Sequence, residues 1–115
     1  MTRMQYSERR EGAVLLLELE EPRLEASNAP KLRELLFDRI EKGNRQIVLD
    51  LAAVTFMDSS ALGSLIGAIK RMGSHGTIVL AGAAGPVLQL LKLTRMDKVF
   101  SLYPTAKSAL IELEE

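Results

Sequence analysis

At 115 residues the chain has room for one hydrophobic core but not for two, so we expect a single domain over residues 1–115. Its 15 Lys and Arg residues balance its 15 Asp and Glu residues, which leaves no basic field to attract nucleic acid or anionic lipid. The absence of cysteine excludes disulfides, thiolate zinc sites and cysteine nucleophiles.

The chain also lacks the sequence signals of membrane insertion and secretion. Its apolar runs are interrupted well before the roughly 20 residues that a membrane-spanning helix needs. The first ten residues are polar and have no apolar signal-peptide core. We therefore expect a cytoplasmic protein that does not insert into a membrane directly.

Two antiparallel strands are predicted at the N-terminus, from Met4 to Arg10 and from Ala13 to Leu19, around a turn at Glu11-Gly12. The first strand carries three consecutive charged residues and is therefore expected at the edge of a sheet. A helix follows, with Pro30 in its first turn and Gly43-Asn44 after its last.

The polar pair Ser27-Asn28 precedes that helix. We predict that these residues form its cap and also line a partner-binding site.

The segment from Gln46 to Met72 predicts a strand, a tight turn and a helix. Ile47 to Leu51 is a short apolar run typical of a strand buried on both faces of a parallel sheet. Apolar residues then recur at three- and four-residue steps, which indicates the buried side of a helix. These residues are Ala61, Leu62, Leu65, Ile66, Ile69 and Met72.

The opposite side of this helix is expected to carry small residues, followed by Lys70 and Arg71. The small residues are Ser60, Gly63, Ser64 and Gly67. Each mid-helix glycine costs about 1 kcal/mol relative to alanine, which indicates close approach by another backbone. That backbone could belong to the chain itself or to a partner, and the pattern leaves both open.

Asp58-Ser59-Ser60 lies where the helix begins, and each of the three residues is a candidate N-cap. A serine at this position could also accept a phosphate, because the free N–H groups and the dipole of a helix N-terminus favour an anion.

The remaining turns predict no catalytic site. His75, the sole histidine, lies in the turn Gly73 to Gly76 and is expected to be a solvated loop residue. The glycine-rich turn Gly82 to Pro86 precedes a helix, as a phosphate-binding loop does, but it lacks the Lys-Ser/Thr ending of a P-loop.

Four more elements complete the pattern. They are a buried strand from Thr77 to Ala81, a helix from Val87 to Thr94, a strand from Val99 to Tyr103 and a helix starting at Pro104. The order ββαβαβαβα predicts an α/β fold with right-handed crossovers. Binding sites in such sheets lie beyond the carboxyl ends of the parallel strands, where Ser59 falls.

These segments resemble the STAS domains (sulphate transporter and anti-sigma factor antagonist) and, within that family, the bacterial anti-sigma factor antagonists. The resemblance covers about residues 12 to 111 and implies a mixed sheet of about five strands with about four α-helices. It rests on Arg23 to Ala29, Asp50-Leu51, Val54 to Gly63, Gly76 to Leu80 and Leu90 to Phe100.

The resemblance implies a non-enzymatic binding module without cofactor or metal that regulates a sigma factor. Ser59 would be phosphorylated by a partner that is both serine kinase and anti-sigma factor, and unphosphorylated Ser59 would permit binding that releases the sigma factor. Asp58 would serve recognition and Ser60 the interface, while a phosphatase would act on phospho-Ser59. We add Gly63, Ser64, Gly67, Ser27 and Asn28 to the predicted partner surface.

The chain departs from the family pattern at three positions. Pro22 replaces a common Gly, Glu25 replaces Asp, and Ala61 replaces the Gly that often follows the two serines.

Two other functions use the same residues. A STAS-like subunit of a transport or signalling complex would dock this helix on an ABC-type ATPase without phosphorylation. An enzyme with Ser59 or Asp58 as nucleophile would need a nearby base, and His75 lies in a separate turn.

Overall fold

The computed structural model describes residues 3–114, which form seven strands and four α-helices. In chain order these are β1 (Tyr6–Glu11), β2 (Val14–Leu19), β3 (Arg23–Leu24), α1 (Ala29–Glu41), β4 (Gln46–Asp50), β5 (Phe56–Met57), α2 (Ser59–Met72), β6 (Thr77–Ala81), α3 (Gly85–Leu93), β7 (Leu102–Tyr103) and α4 (Ala106–Leu113). Short 3-10 turns occupy Gly73–His75 and Met96–Lys98.

Five strands form the main sheet in the order β1-β2-β4-β6-β7. β1 pairs antiparallel with β2, and all the other neighbours are parallel. The predicted α/β fold with a five-stranded mixed sheet and four helices is therefore confirmed, with β1 at the edge. The sequence pattern did not predict β3 and β5, which form a separate two-residue parallel ladder.

Helices cover both faces of the main sheet, and its central strands carry apolar side chains on both sides. Leu17 and Leu49 face one cluster, to which α1, α2 and α3 contribute, while Leu16 and Val48 face a smaller cluster that includes α4. All four side chains are fully buried. This two-sided burial explains the continuous apolar runs of β2 and β4, as expected for inner strands covered by helices.

The edge strand β1 is attached to α1 by charged and polar side chains. Arg39 donates hydrogen bonds to the Glu8 carboxylate and, over 3.0 Å, to the Tyr6 hydroxyl. The Arg39 hydrogen bond lowers the pKa of Glu8, although burial opposes the shift. One of the edge charges therefore also contributes a tertiary contact.

The predicted strand from Val99 to Tyr103 is too long, because only Leu102–Tyr103 pairs with β6. Arg95 adopts a left-handed conformation with φ 63°, and a 3-10 turn follows it. This irregular path inserts Phe100 into the core, where it is 2% exposed. Burial of one large aromatic side chain thus replaces strand pairing in this segment.

Gly76, which precedes β6, lies against the start of β4. A Cβ atom at Gly76 would lie 2.2 Å from the Arg45 carbonyl oxygen, so no larger residue fits without a backbone shift. Across residues 3–114, none of the helices has both the length and the apolar character to cross a membrane.

Candidate functional site

The β3–β5 ladder places two loops side by side beyond the main sheet. Arg23 pairs with Phe56 and Leu24 with Met57, so the loop entering α1 runs next to the residues that enter α2. The Pro22 carbonyl accepts hydrogen bonds from the Thr55 amide at 2.7 Å and the Thr55 hydroxyl at 3.0 Å. Proline retains this carbonyl, so the departure at Pro22 is compatible with the contact.

Asp58 links the two loops through both oxygens of its carboxylate. Oδ1 accepts hydrogen bonds from the Ser60 amide at 2.9 Å and the Ala61 amide at 3.1 Å, which makes Asp58 the N-cap of α2. Oδ2 accepts from the Ala26 amide at 3.1 Å. Of the three candidate caps, Asp58 is therefore the one used, and it also holds the loop that precedes α1.

Ser59 and Ser60 are the first two residues of α2, and both are exposed. Ser59 directly follows the N-cap Asp58, at the positive end of the helix dipole. Its exposure means that another protein can reach the hydroxyl without local unfolding. Its phosphorylation stays a prediction.

The sequence pattern places Ser64 opposite the apolar stripe of α2 and leaves open whether the chain or a partner covers it; the chain itself does. Ser64 is 5% exposed, and its hydroxyl donates a 2.7 Å hydrogen bond to the Ala29 carbonyl at the start of α1. Ile66 and Ile69, expected to be buried, are only half-buried, while Ala68 is fully buried. The buried side of α2 is rotated towards α1, because that helix packs alongside it.

The two mid-helix glycines of α2 have different surroundings. Gly63 is exposed, and a Cβ atom there would have no neighbour within 4 Å. A Cβ atom at Gly67 would lie 3.8 Å from both the Arg33 guanidinium and the Phe37 ring, which is ordinary packing distance. The chain's own α1 thus covers Ser64 and approaches Gly67, whereas Gly63 remains open.

A shallow groove of about 350 Å³ lies between α2 and the start of α1. Ser60 and Gly63 line it from α2, and Pro30 and Arg33 line it from α1. Sequence patterns missed Arg33 and Ala26 as part of this region, although a basic residue four positions before Phe37 signals a possible helical contact.

Ser27 is exposed, whereas the Asn28 side chain stabilises its own loop. Asn28 Oδ1 accepts from the Glu25 amide, and its Nδ2 donates to the Arg23 carbonyl, both at 2.9 Å. Asn28 occupies the N-cap position of α1, but its side chain makes no cap hydrogen bond. The predicted cap is therefore wrong in its chemistry, because local loop bonds use the same amide group.

Glu25, which replaces the family's Asp, pairs with Arg23 at 3.3 Å. The Arg23 guanidinium also stacks over the Phe56 ring, 4.0 Å from its centroid.

His75 lies exposed in the turn that follows α2, at the opposite end of the helix from Ser59. A helix of 14 residues separates them by about 20 Å at 1.5 Å per residue. His75 therefore cannot act as a base for Ser59 within one chain, which removes the geometric support for a serine-nucleophile enzyme.

Asp50 ends β4 next to Glu18 of β2. Burial raises the pKa of Asp50, and the Glu18 carboxylate raises it further, while the Ala52 amide hydrogen bond at 3.0 Å lowers it. The charged form of Asp50 therefore lowers the free energy of unfolding. Asp50 does not line the groove.

The family of the chain follows from its match to a family model. The family model described as the STAS domain matches residues 6–109, so the chain belongs to the STAS domain family. The resemblance predicted from the sequence motifs is therefore confirmed.

Relatives of the chain include proteins named as anti-sigma factor antagonists. A Thermotoga neapolitana protein provisionally named in this way is 30% identical over 106 residues, which is 90% of this chain and 92% of the relative. The anti-sigma-B factor antagonist of Listeria monocytogenes is 29% identical over 80 residues, which is 69% of this chain and 70% of the relative. The crystal structure of an anti-sigma factor antagonist from Mycobacterium paratuberculosis has a TM-score of 0.88 and 25% identity, covering 97% of this chain and 95% of that one.

Proposed function

We propose that the chain is a bacterial anti-sigma factor antagonist that acts in the cytoplasm and is switched by phosphorylation of Ser59. The observation that carries the proposal is the exposure of Ser59 at the start of α2, between the N-cap Asp58 and Ser60, which lines an open groove. The names of the STAS relatives support the type of partner, an anti-sigma factor.

In the unphosphorylated state, the exposed start of α2 presents only short side chains to a partner. Ser59, Ser60 and Gly63 carry no side chain longer than a hydroxymethyl group, so a second backbone can approach closely. Binding there would occupy the anti-sigma factor and release its sigma factor. The loop with Ser27 and Asn28 adjoins this surface through the Asp58 bond to Ala26.

Phosphorylation forms a bond between Ser59 Oγ and the terminal phosphorus of a nucleoside triphosphate bound to the partner. The bond from that phosphorus to the nucleoside diphosphate breaks, and a base on the partner takes the serine proton. The product adds about −1.5 to −2 charges beside the Asp58 carboxylate. A phosphatase would hydrolyse the ester and restore the hydroxyl.

The added charge disfavours binding more than it disfavours the fold. The dipole at the N-terminus of α2 stabilises the phosphate by about 0.3 to 1 kcal/mol. Two amides of this helix end already donate to Asp58, those of Ser60 and Ala61. An unpaired charge buried in an interface costs several kcal/mol. A net penalty of about 3 to 4 kcal/mol corresponds to binding weakened a few hundred-fold.

The test titrates each purified anti-sigma factor of the source organism with wild type, Ser59→Ala and Ser59→Asp. We expect wild type and Ser59→Ala to bind, and only wild type to be phosphorylated. Ser59→Asp should lose binding while its melting temperature stays within a few degrees. Ser101→Asp is the matched control, because Ser101 is exposed immediately before β7, the strand at the far edge of the sheet.

Equal binding by Ser59→Asp and wild type would contradict the switch. Stable association with an ABC-type ATPase, with Ser59 unmodified in cells, would instead support a STAS subunit of a transport complex.

A further inference from the structure

A basic-aromatic patch, formed by Arg33, Phe37, Lys70 and Arg71, lies where α1 and α2 run side by side. The Phe37 ring has two guanidinium groups near it: Arg33 Cζ is 4.8 Å from the ring centroid and Arg71 Cζ is 4.4 Å away. One cation comes from α1 and the other from the last turn of α2. The ring therefore holds two positive charges close together on the surface.

The patch keeps an excess of positive charge. Arg71 is paired with Glu41, but no carboxylate among residues 3–114 lies within 4.0 Å of the Arg33 guanidinium. Lys70 is exposed, and α2 contains no acidic residue. The two guanidinium groups beside Phe37 are accompanied by one paired carboxylate, Glu41, and Lys70 precedes Arg71 in the chain, although the chain as a whole has no net charge. Arg33 is thus positioned by packing and stacking while its charge stays available.

The patch is continuous with the groove beside the proposed phosphorylation site. Arg33 lines that groove together with Ser60 and Gly63. A partner that covers Ser59 and Ser60 and extends along α2 therefore meets Arg33 next, and then Lys70 and Arg71 near the end of the helix. Charge complementarity at such a contact requires carboxylates on the partner.

We propose that the basic-aromatic patch docks an acidic segment of the anti-sigma factor, one that carries at least two carboxylates. The inference rests on the proposed function, because it concerns the same partner.

The matched experiment compares Arg33→Glu with Lys107→Glu. Both variants change the net charge by the same amount, but Lys107 is exposed on α4, on the other face of the sheet. The probe is the purified anti-sigma factor that binds the wild-type chain. We expect Arg33→Glu to bind about tenfold more weakly at about 0.05 M salt and about twofold more weakly at about 0.5 M salt, because salt screens exposed charges. Lys107→Glu should stay within about twofold of wild type.

Two further variants keep the test independent of folding and of the phosphorylation proposal. Arg33→Gln, which removes the charge without reversing it, should weaken binding about threefold. Changing a contacting carboxylate of the partner to Lys should restore binding of Arg33→Glu but not of Ser59→Asp.

Equal losses in Arg33→Glu and Lys107→Glu, or no loss in Arg33→Glu, would overturn the acidic docking segment. Failure of the wild-type chain to bind any anti-sigma factor of the source organism would instead overturn the proposed function.

Discussion

Asp58 has two separable structural roles, and replacing it by Asn or Ala distinguishes them. One oxygen accepts from the Ser60 and Ala61 amides, and the other accepts from the Ala26 amide. Asn retains one carbonyl oxygen and caps helices about as well as Asp. Its amide group would then face the Ala26 N–H, donor against donor, so the link to the loop before α1 would be lost.

The magnitudes follow from the bonds that each variant loses. Asp58→Asn should cost about 0.5 to 1.5 kcal/mol of unfolding free energy, the range for one hydrogen bond. Asp58→Ala also loses the cap, which adds about 1 kcal/mol. A destabilisation of about 1 kcal/mol lowers the melting temperature of a domain of this size by about 4 °C.

Amide hydrogen exchange measured by NMR provides the site-specific assay. Exchange at the Ala26 amide should accelerate in both variants, whereas exchange at the Ser60 and Ala61 amides should accelerate only in Asp58→Ala. Thr105→Ala is the matched control, because it removes the N-cap of α4 and should leave the Ala26 amide unchanged. Unchanged exchange at Ala26 in Asp58→Asn would refute the bridging role of the carboxylate.

Three further predictions concern stability. Ser64→Ala should lose about 1 kcal/mol of unfolding free energy with its buried hydrogen bond, whereas exposed Ser60→Ala should change stability by less than about 0.5 kcal/mol, both measured by chemical denaturation. Gly63→Ala should raise the free energy of unfolding by up to about 1 kcal/mol, because the site is open and helical. Gly76→Ala should lower it, because the added Cβ would overlap a backbone carbonyl. Asp50→Asn should be more stable than wild type at pH 7, and melting temperatures should converge as the pH falls.

The sign of the Asp50 prediction follows from proton linkage. Its pKa is raised in the folded protein, so the folded state binds the proton more tightly than the unfolded state does. Wild type therefore gains stability from this group as the pH falls through the raised pKa towards the ordinary value of 3.8, and Asn has no such titration. A stability gap that stays constant from pH 7 to pH 4 would contradict this reasoning.

The other two predictions have equally direct counter-outcomes. Equal stability of Ser64→Ala and Ser60→Ala would mean that the bond between the helices contributes nothing. A destabilised Gly63→Ala would mean that something covers that position in solution.

Local patterns in the sequence predict most of the helices and strands of the fold. The apolar run of β4 and the three- and four-residue steps of α2 reflect burial preferences that act within a few residues. The Asp-Ser-Ser segment correctly marks the start of α2, because an N-cap forms between residues two and three positions apart. The family motifs likewise lie in short continuous stretches.

Contacts between distant segments lie outside the reach of such patterns. Ser64 bonds to a carbonyl 35 positions away, and Asp58 bonds to an amide 32 positions away. A helical periodicity tells which residues share a face, but the neighbour that covers that face depends on how whole elements pack. The burial of Ser64 and the cationic cluster around Phe37 exist because α1 lies against α2.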